Sequence, residues 1–231
     1  MRVNIAVRDR EQNDSRSART VYIDKIHVTH KPAYEALKRT FDIISSLLAL
    51  ILFSPLMLIV ALAVFLQDFH NPFFAQTRLT KDGKEFKMFK FRSMCVDAEE
   101  KLSELRELNE ADGPVFKIEN DPRITRIGKF IRRTSMDELP QLVNILTGSM
   151  SFVGPRPPLP SEVAQYSNYQ MHRLDVKSGL TCYWQCSGRS NIGFDEWVDL
   201  DIQYIKERSL TTDLKIILKT IKAVIKKDGA E

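Results

Sequence analysis

Arginines outside the obvious helix faces carry the most distinctive chemistry of this sequence. The guanidinium group is a planar fork that matches phosphate oxygens in pairs, and loop side chains serve function more often than those on helix faces. Convergence of several arginines on one polyanion is therefore a working hypothesis, although for any single arginine ordinary surface exposure is the simpler interpretation. The arginines concerned are Arg92, Arg123, Arg126, Arg132, Arg133, Arg156 and Arg189.

A short acidic run follows the first of these arginines. Asp97, Glu99 and Glu100 come five to eight residues after Arg92. The helix dipole alone explains carboxylates in a first helical turn, whereas a carboxylate beside arginines and a divalent cation can be a nucleophile or a metal ligand. The four histidines are scattered and the cysteines show no metal-ligand spacing, so an oxygen-ligated ion such as Mg²⁺ is the only metal that we expect.

Three local patterns predict the elements that would hold these residues. Residues 97–113 have acidic residues in the first turn and Gly113 past the end, which predicts a helix. Ser135 and Glu138 form an S-x-x-E capping box for a second helix, which Gly148 ends. Two short runs around a Lys-Asp-Gly-Lys turn at residues 81–84 predict a β-hairpin.

The composition limits the class of protein. The chain has 231 residues, 34 of them basic and 30 acidic, with a formal net charge of +4 and a mean hydropathy of −0.24. This mild balance excludes a strongly polycationic nucleic-acid binder but not local basic patches. Three cysteines without paired spacing indicate a reducing compartment and no disulfide framework.

One uncharged run, from Ile43 to Leu66, concentrates the hydrophobicity of the chain. As a helix it would be about 36 Å long, enough for a hydrocarbon core of about 30 Å. A buried core helix is the minor alternative. Ser54-Pro55 divides the run into two arms that are each too short to span. Because both flanks are basic, a helix that enters, breaks at Ser54-Pro55 and returns is favoured over one that spans.

The amphipathic C-terminal residues 212–229 have two interpretations. A face that packs on the core is the usual one for such a helix. A helix lying in the membrane interface, with its lysines toward anionic lipid, is the other, and a membrane anchor elsewhere in the chain adds weight to it. Both stay open. The apolar stripe consists of Leu214, Ile217, Leu218, Ile221, Val224 and Ile225.

Several stretches together resemble the bacterial sugar transferase family, the monotopic phosphoglycosyl transferases that act on polyprenyl phosphates. They are KRTFDIISSLLALILFSPLMLI, FKMFKFRSM, DPRITRIGKFIRRTSMDELPQLVNILTGSMSFVGPRP and HRLDVKSGLT. The match is collinear from about residue 37 to the C-terminus. A string as long as TSMDELPQLVNILTGSMSFVGPRP makes the resemblance very specific.

The resemblance implies an α+β, mostly helical fold. We expect a polar N-terminal segment at 1–36, a re-entrant membrane helix at 37–68 broken at Ser54-Pro55, and a cytoplasmic catalytic domain at 69–231. That domain would contain a small β-hairpin and interfacial amphipathic helices. The expected location is the cytoplasmic face of the bacterial inner membrane. The sequence looks like a small catalytic core without the extra transmembrane helices of longer relatives.

The resemblance also implies a reaction and its partners. A sugar 1-phosphate would pass from a nucleotide diphosphosugar, usually a UDP-sugar, to undecaprenyl phosphate with release of UMP. The product would start a capsule, an exopolysaccharide or another glycan. Downstream glycosyltransferases and a second copy of the chain are further candidate partners, and no nucleic-acid partner is expected.

Individual residues receive roles from the same resemblance. An aspartate after the F-R-[ST]-M motif attacks the sugar-linked phosphate, and Asp97 matches by position, with Glu99 slightly ahead of Glu100 as its partner. Mg²⁺ held by Asp97 and Glu99 would neutralise charge on the transferring group, together with arginines. The substrate-binding residues implied are Arg92, Arg123, Arg132, Arg133, Asp137, Glu138, Arg156 and Asp175. For Asp137 and Glu138 the capping role is an equal explanation.

Two departures from the family pattern bear on these assignments. The family pair is commonly an adjacent Asp-Glu, whereas here the order is Asp97-Ala98-Glu99-Glu100. Where many members carry G-[IL]-T-G-W-A-Q-[VI]-N-G-R, this chain reads GLTCYWQCSGR. Cys182, Trp184 and Cys186 therefore differ from the pattern in a region that could influence the sugar or nucleotide pocket, and the donor stays open.

Two alternatives from other classes of function stand beside this reading. A catalytically silent, membrane-anchored scaffold for glycan-assembly enzymes would release no nucleotide from any donor. A membrane-tethered nucleic-acid binder rests on the basic residues alone, and the balanced charge and the lack of a recognised module count against it.

Overall fold

A computed structural model describes residues 2–6, 18–22, 31–186 and 192–226, and Arg189 lies outside this part of the chain. The helices of the described residues are α1 (Pro32–Asp68), α2 (Arg126–Arg133), α3 (Gln141–Thr147), α4 (Pro160–Val163), α5 (Tyr183–Cys186), α6 (Phe194–Glu207) and α7 (Leu210–Lys226). The strands are β1 (Arg2–Ala6), β2 (Ala18–Tyr22), β3 (Phe73–Leu79), β4 (Glu85–Phe91), β5 (Ser151–Val153) and β6 (Gly179–Thr181). The fold is therefore mostly helical with small sheets, as predicted.

The strands pair two by two. Strands β1 and β2 are antiparallel and lie inside the segment predicted to be a polar N-terminal region. Strands β3 and β4 form the predicted hairpin, and Asp82 and Gly83 adopt positive φ angles in its turn. Strands β5 and β6 are parallel and bring the chain after Val153 beside the chain after Thr181. The hairpin is confirmed, since an Asp-Gly pair tolerates the left-handed backbone that this turn requires.

Helix α1 is long and apolar enough to cross a membrane. It begins at Pro32, before the predicted boundary at residue 37. Only 11% of its most apolar 18-residue window is buried. A core helix of a soluble protein would be mostly buried, so the minor alternative fails and α1 is a membrane-associated segment.

The Ser54-Pro55 pair lies inside α1 without interrupting the helix. Proline has no N–H, so the carbonyl of Ile51 loses its usual partner four residues later. The hydroxyl of Ser54 donates to that carbonyl at 2.8 Å. The serine thus satisfies the group that the proline leaves free. Residues 51–55 are all exposed, and the helix contacts the rest of the protein on either side of them.

The N-terminal arm of α1 is tied to α6 and α7 through one carboxylate. Asp213 accepts hydrogen bonds from the Tyr34 hydroxyl at 2.9 Å, the Tyr204 hydroxyl at 2.9 Å and the Lys38 ammonium at 2.6 Å. One turn further on, Arg39 donates to the carbonyls of Ile145 and Leu146, both at 2.7 Å. These carbonyls end α3, where cations are favoured.

The C-terminal arm of α1 packs on the same domain. Val60 and Val64 are buried against Phe91 of β4 and Ile131 of α2. At the end of the helix, the Asp68 carboxylate accepts from the guanidinium of Arg92 at 2.6 Å. Both arms of α1 are therefore attached to one folded body.

The predicted capping box before α3 is wrong. Ser135 has a positive φ of 54° and makes no side-chain cap, and α3 begins only at Gln141. Two contacts explain the difference, since the Ser135 N–H donates to Arg132 and the Glu138 carboxylate accepts from Lys90. The predicted end is confirmed, because Gly148 takes the left-handed conformation with φ 89°.

Most of the apolar stripe of α7 faces away from the core. Ile216 is fully buried, whereas Leu214, Leu218 and Ile221 are each more than half exposed. Two polar contacts set this rotation of the helix: the buried Asp213 and the bond between the hydroxyls of Thr220 and Thr181 at 2.7 Å. The core-facing interpretation holds for Ile217, which packs on the core cluster around Ile216, and is wrong for the exposed Leu214, Leu218, Ile221 and Val224.

Replacement of Asp213 tests how far the fold depends on this attachment of α1. Asp213→Ala removes three charge-assisted hydrogen bonds and leaves Lys38 half-buried without its carboxylate, so we expect a loss of about 3 kcal/mol in the free energy of unfolding. Denaturation in detergent would measure it. Asp199→Ala is the matched control, because Asp199 accepts from Tyr169 at an exposed site and should cost less than about 0.5 kcal/mol. Equal losses for both variants would contradict the assignment.

Candidate active site

The segment that carries Asp97, Glu99 and Glu100 is a series of turns rather than the predicted helix. Its bonds run from Ala98 N to Cys95 O, from Leu102 N to Glu99 O and from Leu105 N to Leu102 O, and it ends in a 3₁₀ turn at Arg106–Leu108. An α-helix would need the Ala98 carbonyl to accept from Leu102. That carbonyl instead accepts from the Arg123 guanidinium at 3.1 Å. One α-type bond does form, from Lys101 N to the Asp97 carbonyl at 3.1 Å, and the next carbonyl, that of Ala98, is held by a tertiary contact.

Asp97 is an exposed carboxylate with a lysine partner. Its side chain is 47% exposed, and Lys101 Nζ lies 2.6 Å from Oδ2. The hydrogen bond from Lys101 and then that from Cys95 lower the pKa of Asp97 to about 2. Asp97 is therefore charged at any physiological pH. Glu99 and Glu100 are exposed beside it and, with Phe74 and Val96, line an open depression of about 320 Å³.

Arg123 is buried and its donors are occupied within the protein. It forms a two-pronged contact with Asp121, with NH2 to Oδ2 at 2.6 Å and Nε to Oδ1 at 2.9 Å. The remaining NH1 holds the Ala98 carbonyl. Hydrogen bonding to Arg123 lowers the pKa of Asp121. Arg123 is thus placed to fix the turn that carries Asp97.

Arg92 is engaged at the end of the membrane helix. Its guanidinium contacts both carboxylate oxygens of Asp68, and Nε donates to the Asn71 carbonyl at 2.9 Å. The hydrogen bond to Asp68 raises the pKa of Arg92. The structure therefore gives this residue a fixed partner, and phosphate binding by Arg92 would have to break that ion pair.

Asp137 and Glu138 form an adjacent, cation-flanked carboxylate pair. They lie on a 3₁₀ turn, Met136–Glu138, directly after the positive φ of Ser135. Lys90 of β4 lies 2.9 Å from Glu138 and 3.8 Å from Asp137. Asp137 is only 7% exposed. A non-glycine residue with positive φ is uncommon outside sites that require it.

The surroundings of Asp137 change its acidity. Burial raises the pKa of Asp137 to about 6, and the negative charge of Glu138 adds to this, while Lys90 and Arg132 act in the opposite direction. Its protonation therefore changes close to neutral pH. A carboxyl tuned in this way, at a site lined by cations, is a stronger candidate for chemistry than an exposed ion pair.

The two arginines of α2 have different surroundings. Arg132 is half-buried, donates from Nε to the Ser93 hydroxyl at 2.9 Å, and has its pKa lowered chiefly by burial. The charges of Asp137 and Asp121 both act on it, so Arg132 lies between the carboxylate pair and Arg123. Arg133 is exposed on the outer side of α2, and the structure does not bring it to this cluster.

Arg156 belongs to a loop whose backbone is fixed on four sides. The carbonyls of Pro155, Arg156, Pro157 and Pro158 accept from Gly179, Arg173, Arg78 and Leu79, respectively. The Arg156 side chain, by contrast, has no hydrogen bond or ion pair among the described residues. Its guanidinium carbon lies 5.6 Å from the centre of the Trp197 ring. A half-buried cation with unused donors is available for an anion.

Arg78 lies against this loop and was missed in the sequence. It is buried in β3, with its guanidinium bonded to Gln76 and to the Pro157 carbonyl. Burial and then the charge of Arg156 lower its pKa to about 10, while Glu162 and Glu138 act in the opposite direction. Arg78, Gln76 and the Phe74–Lys90 pair share one face of the hairpin, and this alternation was the available signal.

Asp175 has a local partner. Its carboxylate lies 2.8 Å from Nδ1 of His172 in the preceding 3₁₀ turn, and both residues are largely buried. The structure thus gives Asp175 a role in holding His172. Among the predicted site residues, the structure brings Arg132, Asp137 and Glu138 together with Lys90. Arg156 lies in the loop that Arg78 holds, and Asp97 lies in the turn that Arg123 holds.

Residues 33–227 match the family model for the bacterial sugar transferases. "Galactosyl transferase CpsE" of Streptococcus agalactiae is 45% identical over 87% of this chain and 45% of its own length. "Undecaprenyl-phosphate galactose phosphotransferase" of Salmonella typhimurium is 43% identical over 84% of this chain and 41% of its own length.

"Exopolysaccharide production protein ExoY" of Rhizobium meliloti is 40% identical over 84% of this chain and 87% of its own length. The chain thus spans less than half of the first two relatives and most of the third. The resemblance that the motifs indicated is confirmed over all of α1 except Pro32, and over the hairpin, the carboxylate pair and the Arg156 loop. The chain belongs to the bacterial sugar transferase family.

Proposed function

We propose that this chain transfers a sugar 1-phosphate from a nucleotide diphosphosugar, most simply a UDP-sugar, to undecaprenyl phosphate and releases UMP. One observation carries the proposal: an adjacent Asp-Glu pair beside Lys90 and Arg132, with Asp137 buried and Glu138 partly exposed, in a domain attached to both arms of a membrane helix. Relatives named as undecaprenyl-phosphate galactose and glucose transferases support the substrate classes. Capsule or exopolysaccharide assembly is the corresponding pathway class.

Asp137 is the better candidate nucleophile on three grounds. It is adjacent to a glutamate, which is the arrangement common in the family, whereas Asp97 is followed by alanine. It is desolvated and faces two cations, so an incoming phosphate would meet positive charge beside the attacking oxygen. Asp97 is exposed and already paired with Lys101. Asp97, with Glu99 and Glu100, stays the alternative.

The reaction would proceed in two displacements at one phosphorus. A carboxylate oxygen of Asp137 attacks the sugar-linked phosphorus, the bond from that phosphorus to the bridging oxygen breaks, and UMP leaves with that oxygen. An oxygen of the lipid phosphate then attacks the same phosphorus, and the acyl-phosphate bond breaks to regenerate the carboxylate. Lys90 and Arg132 would stabilise the charge on the phosphoryl oxygens, and Arg156 would bind the donor diphosphate.

Mg²⁺ fits the available donors only as an ion shared with the substrate. Among residues 31–186 and 192–226, no group of three or more His, Cys, Asp or Glu could hold a metal ion by itself. Mg²⁺ commonly takes one or two carboxylates together with nucleotide phosphates. Glu138, or the predicted ligands Asp97 and Glu99, would supply the carboxylates, and the ion would neutralise diphosphate charge. We propose Mg²⁺ on this chemistry.

The membrane placement follows from how α1 is attached. Lys38 at one end and Asp68 at the other bind the same folded domain, so both ends of the helix should lie on one side of the bilayer. The exposed residues 51–55 would be the deepest point of a re-entrant path. The outward stripe of α7 would lie in the interface, with its lysines at the headgroups. The cytoplasmic face of the inner membrane is the location that places the site beside nucleotide sugars.

The nucleophile is tested by comparing Asp137→Asn with Asp97→Asn. With undecaprenyl phosphate, Mg²⁺ and a panel of UDP-sugars, Asp137→Asn should reduce UMP release at least about a thousandfold, and Asp97→Asn less than about tenfold. Because burial already favours the neutral form of Asp137, the amide should not destabilise the fold at pH 7.

A radiolabelled sugar phosphate should become bound to Asp97→Asn protein, and not to Asp137→Asn protein, when the lipid is omitted. The reverse pattern would place the nucleophile in the turn segment. Release from no donor by the folded wild type would favour the scaffold interpretation, and chelation of Mg²⁺ tests the ion separately.

The raised pKa of Asp137 predicts an acidic limit to the covalent step. The reactive form is the carboxylate, so the rate of labelling should fall as pH drops through about 6 and level off above it. The folded state binds this proton more tightly than the unfolded chain, so the contribution of Asp137 to stability is lost as pH rises through about 6. Lys90→Met removes a cation that lowers the pKa of Asp137, so the acidic limb of the pH–rate profile, where labelling falls, should move to higher pH. A limb near pH 4 in the wild type would contradict the assignment.

The re-entrant path is tested by labelling introduced cysteines in intact bacterial cells. In a Cys95→Ser, Cys186→Ser background, Ala33→Cys and Asn71→Cys should both resist a membrane-impermeant maleimide and both react after lysis. Leu52→Cys should resist in both conditions because lipid would cover it. Labelling of Ala33→Cys alone in intact cells would indicate a spanning helix.

A further inference from the structure

We infer that the stacked indoles of Trp184 and Trp197 hold the Arg156 guanidinium in place for the diphosphate of the donor, which makes Trp184 a positioning residue. The inference rests on the proposed function in one respect, namely that the diphosphate belongs to a nucleotide sugar. Trp184 is the residue that stands where the family pattern commonly has alanine.

The two indoles form a close parallel stack. Their ring centroids are 4.3 Å apart and the planes differ by 17°. Trp184 comes from α5 and Trp197 from α6, so the stack joins two helices of the domain. Trp197 is 5% exposed and packs edge-on against Phe194. Trp197 is thus held by the core on one side and by Trp184 on another.

Arg156 depends on this aromatic surface for its orientation. The carbonyls around it are bonded, so the backbone of the loop is fixed. Among the described residues the guanidinium has neither a hydrogen bond nor an ion pair. Its guanidinium carbon lies over the Trp197 ring, 5.6 Å from the ring centroid. A cation over an indole is attracted without using its N–H donors. The N–H donors of the Arg156 guanidinium thus stay free for an anion while the indole restrains the position of the group.

A second arginine on the same indole shows which charge is left unbalanced. The guanidinium carbon of Arg173 lies 4.6 Å from the Trp197 centroid, and its Nε donates to Asp201 at 2.9 Å. Both members of that pair are buried, so the charge of Arg173 is neutralised inside the protein. Arg156 has no such carboxylate among the described residues. The stacked pair Trp184–Trp197, called the platform below, therefore contacts one neutralised cation, Arg173, and one available cation, Arg156.

The chemistry of the missing partner is that of a diphosphate. A guanidinium fork matches two phosphate oxygens. Arg78 holds the carbonyl of Pro157, next to Arg156, and the charges of both Arg156 and Glu138 act on it. A donor bound there could present its sugar-linked phosphorus to Asp137.

Substitution of Trp184 separates positioning from folding. Trp184→Ala should raise the Kd for UDP and the KM for the donor about fivefold, as expected for loss of support to a cation–aromatic contact, with kcat within about twofold. Trp184→Phe should restore both constants to within about twofold. Its indole Nε1 has no hydrogen-bond partner among the described residues, so phenylalanine removes no such bond. Tyr183→Phe is the control on the same helix, because it removes only a contact to Glu207.

Fluorescence gives a readout that does not require turnover. The chain contains two tryptophans, and both are in the stack. UDP with Mg²⁺ should change the tryptophan emission of the wild type saturably, and Arg156→Gln should abolish the change. Thermal unfolding of each variant would be measured in parallel, and equal midpoints would exclude a loss of fold as the cause.

The outcomes distinguish this inference from the proposed function. An unchanged Kd for UDP in Trp184→Ala, or no saturable response in the wild type, would overturn the inference. If UDP binding depends on Trp184 and Arg156 but no donor releases UMP, the platform stands and the transferase proposal fails. If donors turn over and Trp184→Ala behaves as wild type, the transferase stands and the platform fails.

Discussion

The attachment of α1 to the domain at both arms is the constraint on which the rest of the structure depends. One arm ends in the Asp213 cluster and the other in the Asp68–Arg92 pair. Between these points Arg39 closes α3, and Val60 and Val64 cover β4 and α2. The elements that surround the turn with the carboxylate pair, namely α2, α3 and the hairpin, are therefore assembled against the membrane helix. A site built in this way can serve a reactant whose phosphate stays at the bilayer surface.

Most of the cations that could bind phosphate are used to build the site. Arg92 is bound by Asp68, Arg123 by Asp121, and Arg173 by Asp201. Removing one partner of such a buried pair leaves an unpaired charge, so these residues would appear essential in mutagenesis even without touching a substrate. Loss of activity alone will not distinguish them from Arg156. The distinction lies in whether their donors are free, and this only a structure can supply.

The sequence predicted the elements that follow from local chemistry and missed those decided by tertiary contacts. The apolar run, the Asp-Gly hairpin and the end of α3 at Gly148 depend on residues within a few positions, and all three are confirmed. The helix expected at 97–113 is a series of turns, one of which is bonded to Arg123, a residue distant in sequence. The stripe of α7 was turned outward by Asp213 and Thr220.

The candidate site divides in the same way. The motifs placed Asp137, Glu138, Arg132 and Arg156 among the substrate-binding residues and assigned the nucleophile to Asp97, because spacing does not report burial. Lys90 and Arg78 were missed, although their alternation along the hairpin places them on one face. Trp184 was noted only as a departure from the family pattern. Its stacking on Trp197 brings together positions on two helices, which a single sequence cannot reveal.

The two acidic groups of the site illustrate how one protein can give carboxylates different tasks. Asp97 is held by Lys101 in a solvated turn and has a pKa of about 2, so it stays charged and is already neutralised by a neighbour. Asp137 is buried and has a pKa of about 6, because the cost of burying its charge exceeds the stabilisation by Lys90 and Arg132. An attacking carboxylate oxygen is more reactive when it is poorly solvated. Cations beside it stabilise the charge on the phosphoryl group that it attacks. Environments that push two pKa values apart in this way are a reason to look for separate roles, and our proposal gives Asp97 the fixing of charge in the turn and Asp137 the making and breaking of a bond.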